Sequence, residues 1–212
     1  MRVSAKICGV STPEAIDASI RGCASHVGFV FFPPSPRNVG FDRVAALAVR
    51  VPDGVHRVGV FVDPDDALLD TAIAAGRLDV LQLHKTDPGR AAAIRSRTGR
   101  ELWGTVAVKR REDLNAAQSW RGAADRILYD ARTPDDATLP GGMGMRFDWK
   151  LLQGFAHPLP WLLSGGLDAG NVATAIGISG ALMVDVSSGV ESAPGVKDVD
   201  KIAAFCKAVE QC

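Results

Sequence analysis

Val3-Ser4-Ala5-Lys6-Ile7-Cys8-Gly9-Val10-Ser11-Thr12-Pro13-Glu14 is the stretch that decides the fold class. Residues 3–8 are a short run of mixed apolar and polar residues of strand length, bounded by Gly9. Ser11-Thr12-Pro13-Glu14 then supplies an N-cap hydroxyl, a first-turn proline and a capping-box glutamate ahead of the run Ala15–Ile20. A strand followed directly by a helix is half of a βα unit. The link Cys8-Gly9-Val10-Ser11-Thr12 is not the G-x-G-x-x-G that an open doubly wound sheet more often carries after its first strand.

The same alternation recurs along the chain. Strands are expected at 27–32, 56–62, 79–84, 101–108, 126–130, 160–164 and 182–186, with helical segments between them. The last segment sets Val199, Ile202, Cys206 and Val209 on one face at helical spacing. Eight units in 212 residues average roughly 26 residues each. Strand–helix alternation argues for a parallel sheet. Eight units without a linker, low-complexity stretch or charge block predict an α/β fold, a (β/α)₈ TIM barrel forming one domain over residues 1–212; an open sheet is the alternative.

Composition removes whole classes of partner. The 24 Lys+Arg balance 24 Asp+Glu, so neither nucleic acid nor an anionic membrane surface is an expected partner. A small anionic ligand held by a few local donors is compatible with that balance. The N-terminal Met1-Arg2-Val3-Ser4-Ala5-Lys6 lacks the apolar core of a signal peptide, and no stretch approaches the ~20 apolar residues of a membrane span. Cys8, Cys23, Cys206 and Cys212 show neither CxxC nor a zinc-like spacing with the four histidines. The expectation is a reduced, cytoplasmic protein without metal or cofactor.

Barrel enzymes place their chemistry at the carboxyl ends of the strands. Here those ends read Cys8, Asp63, His84, Asp130, Ser164 and Asp185, with Arg37 just beyond the second strand. Residues two apart share a face, so Lys6 and Cys8 point together, as do Gln82 with His84 and Met183 with Asp185. Polar groups inside such apolar strands are costly if buried unpaired, and a cavity mouth accounts for them. Each also has an ordinary reading. Cys8 taken alone is a small core residue, His84 a satisfied polar residue and Arg37 a solvated loop charge. Asp63 is expected to cap the following helix, whereas Asp130 precedes a long loop, 131–142, and has a weaker capping case. Cys23, Cys206 and Cys212 read as structural or surface residues. His26, His56 and His157 carry no role, the first two beginning strands at the face concerned with stability.

Glycine-rich loops follow the last three strands: Gly141-Gly142-Met143-Gly144, Ser164-Gly165-Gly166 and Ser187-Ser188-Gly189. Glycines let backbone N–H groups approach an anion, and the loops after strands seven and eight are a common phosphate site in this barrel. Turn chemistry alone explains any one of them; three at adjacent strand ends point to a phosphate.

Taken together the motifs resemble the phosphoribosylanthranilate isomerases of tryptophan biosynthesis. The matching stretches are Lys6-Ile7-Cys8-Gly9, Gly28-Phe29-Val30-Phe31 with Ser35-Pro36-Arg37, Gly59-Val60-Phe61-Val62 and Leu81-Gln82-Leu83-His84. They continue through Leu128-Tyr129-Asp130, Gly141-Gly142 with Phe147-Asp148-Trp149, Ser164-Gly165-Gly166-Leu167 with Asn171-Val172 and Asp185-Val186-Ser187-Ser188-Gly189-Val190-Glu191, to Pro194-Gly195-Val196-Lys197-Asp198. The resemblance implies the third step of the tryptophan branch, an Amadori rearrangement of N-(5-phosphoribosyl)anthranilate to 1-(2-carboxyphenylamino)-1-deoxyribulose 5-phosphate. It implies Asp130 as general acid and Cys8 as general base. Arg37 would meet the anthranilate carboxylate, with His84 and Asp185 lining the pocket. The phosphate would sit on Gly142, Gly165, Gly166, Ser188 and Gly189. The implied partner is a small phosphosugar substrate, and the implied assembly a monomer or homodimer.

Chemistry sets demands on that pair. A free thiol near 8.5 needs cations to become a base at neutral pH, and Lys6 is the candidate. A free carboxyl near 3.9 needs burial or a nearby negative charge, from Cys8 or Asp185, to remain a proton donor. Some positions depart from the family pattern. Lys85 and Asp87 stand where it usually has Gly and Glu, and Met143 where it usually has Thr, with Arg146 a candidate for the usual Lys. Among rivals, the histidine-pathway isomerase carries Asp where Cys8 stands and has phosphate loops in both halves. Indole-glycerol-phosphate synthase relies on strand-end lysine and glutamate that are missing here. A non-catalytic phosphosugar-binding barrel is the reading from another class, and the presence of both Cys8 and Asp130 argues against it.

Overall fold

A computed structural model describes residues 3–134, 142 and 144–212. Strands form where the apolar runs predict them: β1 (Ser4–Cys8), β2 (His26–Phe31), β3 (His56–Val62), β4 (Val80–His84), β5 (Glu101–Val108), β6 (Arg126–Ala131), β7 (Trp161–Leu163) and β8 (Met183–Val186). They pair in parallel in sequence order, and β1 closes on β8 with Lys6 opposite Asp185, giving a closed eight-stranded barrel. The α/β TIM barrel expected from the repeat is therefore the fold, and the open sheet is excluded. None of the helices described is long and apolar enough to cross a membrane.

Strand parity separates two cores. Val58, Val80, Trp103, Leu128, Leu162 and Met183 fill the barrel interior. Their neighbours of the opposite facing, such as Ile7, Phe29, Phe61, Leu81, Leu83, Ile127, Tyr129 and Val184, pack outward against the helical layer. At the amino-terminal end His26 and His56 stack with ring centroids 4.8 Å apart beside Trp103, consistent with a structural place for both.

The connections are α1 (Pro13–Arg21), α2 (Phe41–Ala48), α3 (Asp66–Gly76), α4 (Pro88–Thr98), α5 (Val172–Ser179) and α6 (Val199–Glu210). Thr12 caps α1 by accepting from the Ala15 N–H, and Pro13 occupies the first turn as expected. The crossovers after β5 and β6 are 3₁₀ stretches, Arg111–Trp120 and Trp149–Leu152. In the first of these the buried residues are Leu114, Ala117 and Trp120, three apart, which suits three residues per turn. Asp63 does not cap α3. Pro64 separates it from the helix, Asp65 accepts from the Leu68 N–H instead, and Asp63 itself has φ 42°. A short antiparallel pair after β8, β9 (Glu191–Ala193) and β10 (Val196–Lys197), has no counterpart among the predicted elements. Two or three residues are too few for a periodic signal.

Candidate active site

The polar side chains of β1, β4, β6 and β8 have the same inward parity and meet at the carboxyl end of the barrel. Cys8, Arg37, His84, Asp130, Gly142, Gly165, Gly166, Asp185 and Ser188 line one cavity, enclosing about 720 Å³ open to solvent. Gly189 lies in the adjoining groove with Gly166 and Ser188, pressed against the Leu167 carbonyl so closely that a Cβ has no room. Gly141 and Met143, singled out in the same loop, fall outside the described residues.

A buried ion pair anchors the floor. The Lys6 Nζ donates to Asp185 Oδ1 at 2.7 Å, and Lys6 is fully buried. Ser164 Oγ donates to the other Asp185 oxygen at 3.1 Å. The Lys6 ammonium also acts on the Cys8 thiol through its charge. Gly28 on the neighbouring strand makes room for this arrangement: a Cβ there would stand 3.0 Å from Cys8 Sγ and 3.2 Å from Lys6 Cε. Burial disfavours the Lys6 ammonium, yet Asp185 and Cys8 together hold its pKa above the ordinary value. The Cys8 thiol is pushed up, by burial first and by Asp185, with Lys6 and Lys197 opposing. Lys6 therefore acts in the sense expected of it but does not overcome burial, and Cys8 rests as the thiol.

Asp130 ends β6 on another wall. Its Oδ1 accepts from the Ala131 N–H at 2.9 Å. Burial and then the negative Asp185 raise its pKa to about 7, against the pull of that N–H and of Lys6. Gly165, at φ 92°, lets the next loop pass over this carboxyl, since a Cβ would lie 3.1 Å from Asp130 Oδ1. On β4 the Gln82 Nε2 lies 2.9 Å from His84 Nε2. Burial and the Lys6 charge lower the His84 pKa to about 4, so the ring is neutral at pH 7.

Arg37 is held in a way that its sequence context does not reveal. Its Nε and Nη2 donate to the two oxygens of Glu191 at 2.7 and 2.8 Å, and Nη2 also to the Gly142 carbonyl at 3.0 Å. Lys197 Nζ bonds Glu191 Oε1 at 2.6 Å and the Ser187 carbonyl at 2.9 Å. Glu191 and Lys197, from the β9–β10 pair, are thus site-shaping residues to which the sequence reading gave no role. Their signal is two charged residues flanking Pro194-Gly195 between the last strand and the last helix. Arg146 donates to the Gly166 carbonyl and to Asp168, both at 2.9 Å, tying the loop after β6 to the loop after β7. Lys85 holds φ 52° where the resembled family usually has glycine, and Asp87 caps α4 by accepting from the Gly89 N–H.

A carboxyl that holds its proton up to about pH 7, a thiol beside two ammonium groups and three glycine-bearing loops share one mouth, which suits proton transfers on an anionic substrate. Comparison with known proteins covers nearly the whole chain. The family model described as N-(5'phosphoribosyl)anthranilate (PRA) isomerase matches residues 5–208. The N-(5'-phosphoribosyl)anthranilate isomerase of Zymomonas mobilis subsp. pomaceae is 52% identical over 211 residues, 99% of either chain. That of Paramagnetospirillum magneticum is 53% identical over 209 residues, 98% of this chain and 97% of the relative. Among solved structures, phosphoribosyl anthranilate isomerase from Thermotoga maritima superposes with a TM-score of 0.88 at 35% identity, covering 99% of this chain and 100% of that one. A phosphoribosyl anthranilate isomerase in complex with reduced 1-(o-carboxyphenylamino)-1-deoxyribulose 5-phosphate gives 0.85 at 33%, with the same coverage.

Proposed function

This chain belongs to the N-(5'-phosphoribosyl)anthranilate isomerase family and is an isomerase of tryptophan biosynthesis, and we propose that it works by an Amadori rearrangement with Asp130 as general acid and Cys8 as general base. Asp130 gives its proton to the ribose ring oxygen as the bond from that oxygen to C1 breaks, leaving a protonated Schiff base at C1. Cys8, as thiolate, removes the proton from C2, and the electron pair forms the C1–C2 double bond of an enolamine. Protonation at C1 and loss of the C2 hydroxyl proton give the aminoketone product, the third step of the tryptophan branch.

The observation that carries this reading is the Asp130 carboxyl, raised to about 7 in the cavity that Cys8 also lines. An ordinary aspartate is ionised at neutral pH and has no proton to give. Lys6 and Lys197 flank the thiol and stabilise its anion once it forms. The substrate's aromatic ring packs on the apolar wall of Val30, Phe32, Val60 and Val62. Arg37 has Nη1 as the donor not held by Glu191 or Gly142, and it meets the anthranilate carboxylate. Backbone N–H groups of the loops at Gly142, Gly165, Gly166, Ser188 and Gly189 take the phosphate on the opposite side. Asp185 keeps Lys6 charged and in place.

The test is to add freshly made N-(5-phosphoribosyl)anthranilate and follow loss of its fluorescence. Wild type should turn it over, while Asp130→Asn and Cys8→Ser each lose on the order of 10²–10⁴ in kcat. Absence of turnover above spontaneous decay in the wild type defeats the whole reading. Near-wild-type turnover by Asp130→Asn defeats the acid assignment alone.

A further inference from the structure

Gln82 is a polar side chain inside the barrel, one pleat below His84 on β4, and 2% exposed. Its register neighbours are Val60 on β3 and Trp103 on β5, so an apolar residue of similar length suits the packing equally well. The amide nitrogen lies 2.9 Å from His84 Nε2, while the amide oxygen is buried with no hydrogen-bond partner among the described residues. A buried amide with one end unpaired is costly and calls for an explanation in its other end. Among the described residues that other end bonds only His84, and both side chains line the substrate cavity.

We infer that Gln82 is a positioning residue: its amide N–H donates to His84 Nε2, fixes the ring as the Nδ1–H tautomer, and so makes β4 present a neutral N–H donor to the substrate. The neutral ring follows from its surroundings, burial and the nearby Lys6 ammonium, with Asp185 opposing and Lys85 adding to the effect. In a neutral imidazole one nitrogen donates and the other accepts. With Nε2 accepting from Gln82, the proton resides on Nδ1. Turning the amide over would instead have Nε2 donate to the oxygen and leave both N–H donors of a buried amide unpaired. It would also point a lone pair at a substrate whose groups near this wall are acceptors. Under the isomerase reading, on which this step rests, the acceptor is the anthranilate carboxylate, held between Arg37 and His84. Gln82 thereby separates carboxylate-bearing substrates from analogues lacking that group through its hold on His84.

Long-range ¹H–¹⁵N correlation on protein labelled at histidine reads the tautomer directly, with the His84 signals assigned by their loss in His84→Asn. Wild type should show His84 as Nδ1–H. Gln82→Glu, which offers acceptors at both terminal atoms, should reverse it to Nε2–H. Gln82→Leu and Gln82→Met should show mixed tautomers, with kcat/KM falling about tenfold, mainly through KM, the size expected for one weakened hydrogen bond. A merely structural role would lower the melting temperature of the Leu and Met variants and leave the tautomer unchanged. The inference is overturned if wild-type His84 is Nε2–H, or if its tautomer in Gln82→Leu and Gln82→Met matches wild type. Failure of the isomerase reading has a different signature, no turnover by wild type, and leaves the tautomer measurement standing.

Discussion

Around neutral pH the Asp130 carboxyl changes charge while the Cys8 thiol stays protonated, since burial raises both and Lys6 offsets only part of it at Cys8. Catalysis needs the opposite forms, acid protonated and thiol ionised. When the acid has the lower pKa, the active fraction rises with pH up to the acid's pKa, stays level, and falls above the thiol's pKa. The kcat/KM profile of the free enzyme should therefore rise to a plateau near pH 7, the value of Asp130. In Asp130→Asn the residual activity should rise instead at the higher pKa of Cys8. A wild-type rise that stays near pH 7 in Asp130→Asn would contradict the assignment. The same carboxyl weighs on stability. Its folded pKa of about 7 stands above the ordinary 3.8, so its contribution is full below pH 3.8 and is lost as pH rises through 7. Asp130→Asn should then be more stable than wild type at pH 8 by a few kcal/mol, and the gap should close at pH 4; denaturant melts at the two pH values measure it. These polar strand-end residues were legible because each interrupts an apolar strand at the face where barrels do chemistry. Glu191 and Lys197 were not, because their partner Arg37 lies some 150 residues away in sequence and no spacing rule links them.

At the scale of elements, all eight strands were legible from apolar runs within a residue or two, and the α1 start from Thr12-Pro13. The missed features are those in which a local signal has two candidates or too few residues. Asp63 and Asp65 both precede α3, and the proline between them decides which one faces the helix. Asp65→Ala should cost about 1 kcal/mol through loss of the cap, whereas Asp63→Gly, at a left-handed position, should be neutral or stabilising by up to about 1 kcal/mol. Equal destabilisation by both in urea melts would reassign the cap. The β9–β10 pair escaped notice for its length, although Pro194-Gly195 marks its turn.

Over the whole molecule, the barrel divides its ends between chemistry and stability. The amino-terminal end keeps the stacked His26–His56 pair, and burial first, then the charges of His56, Lys6 and Arg126, lower the His26 pKa to about 3. A base whose pKa falls on folding contributes fully above its unfolded value of 6.5 and loses that contribution as pH drops toward 3. Stability should decline below pH 6.5 by up to roughly 1.4 kcal/mol per pH unit, and His26→Gln should flatten the decline. Unchanged acid sensitivity in that variant would place the cause elsewhere. The barrel also has a seam, β1 on β8, where Lys6 meets Asp185, and a clasp over its mouth, where Arg37 meets Glu191 and Lys197. Both join early residues to late ones. Translation makes Cys8, Arg37 and Asp130 long before the groups that orient two of them. A ribosome paused ahead of Asp185 thus carries every proposed proton-transfer group in a chain that has neither its seam nor its clasp. Competence therefore waits on residues 185–197, however early the other strands are made.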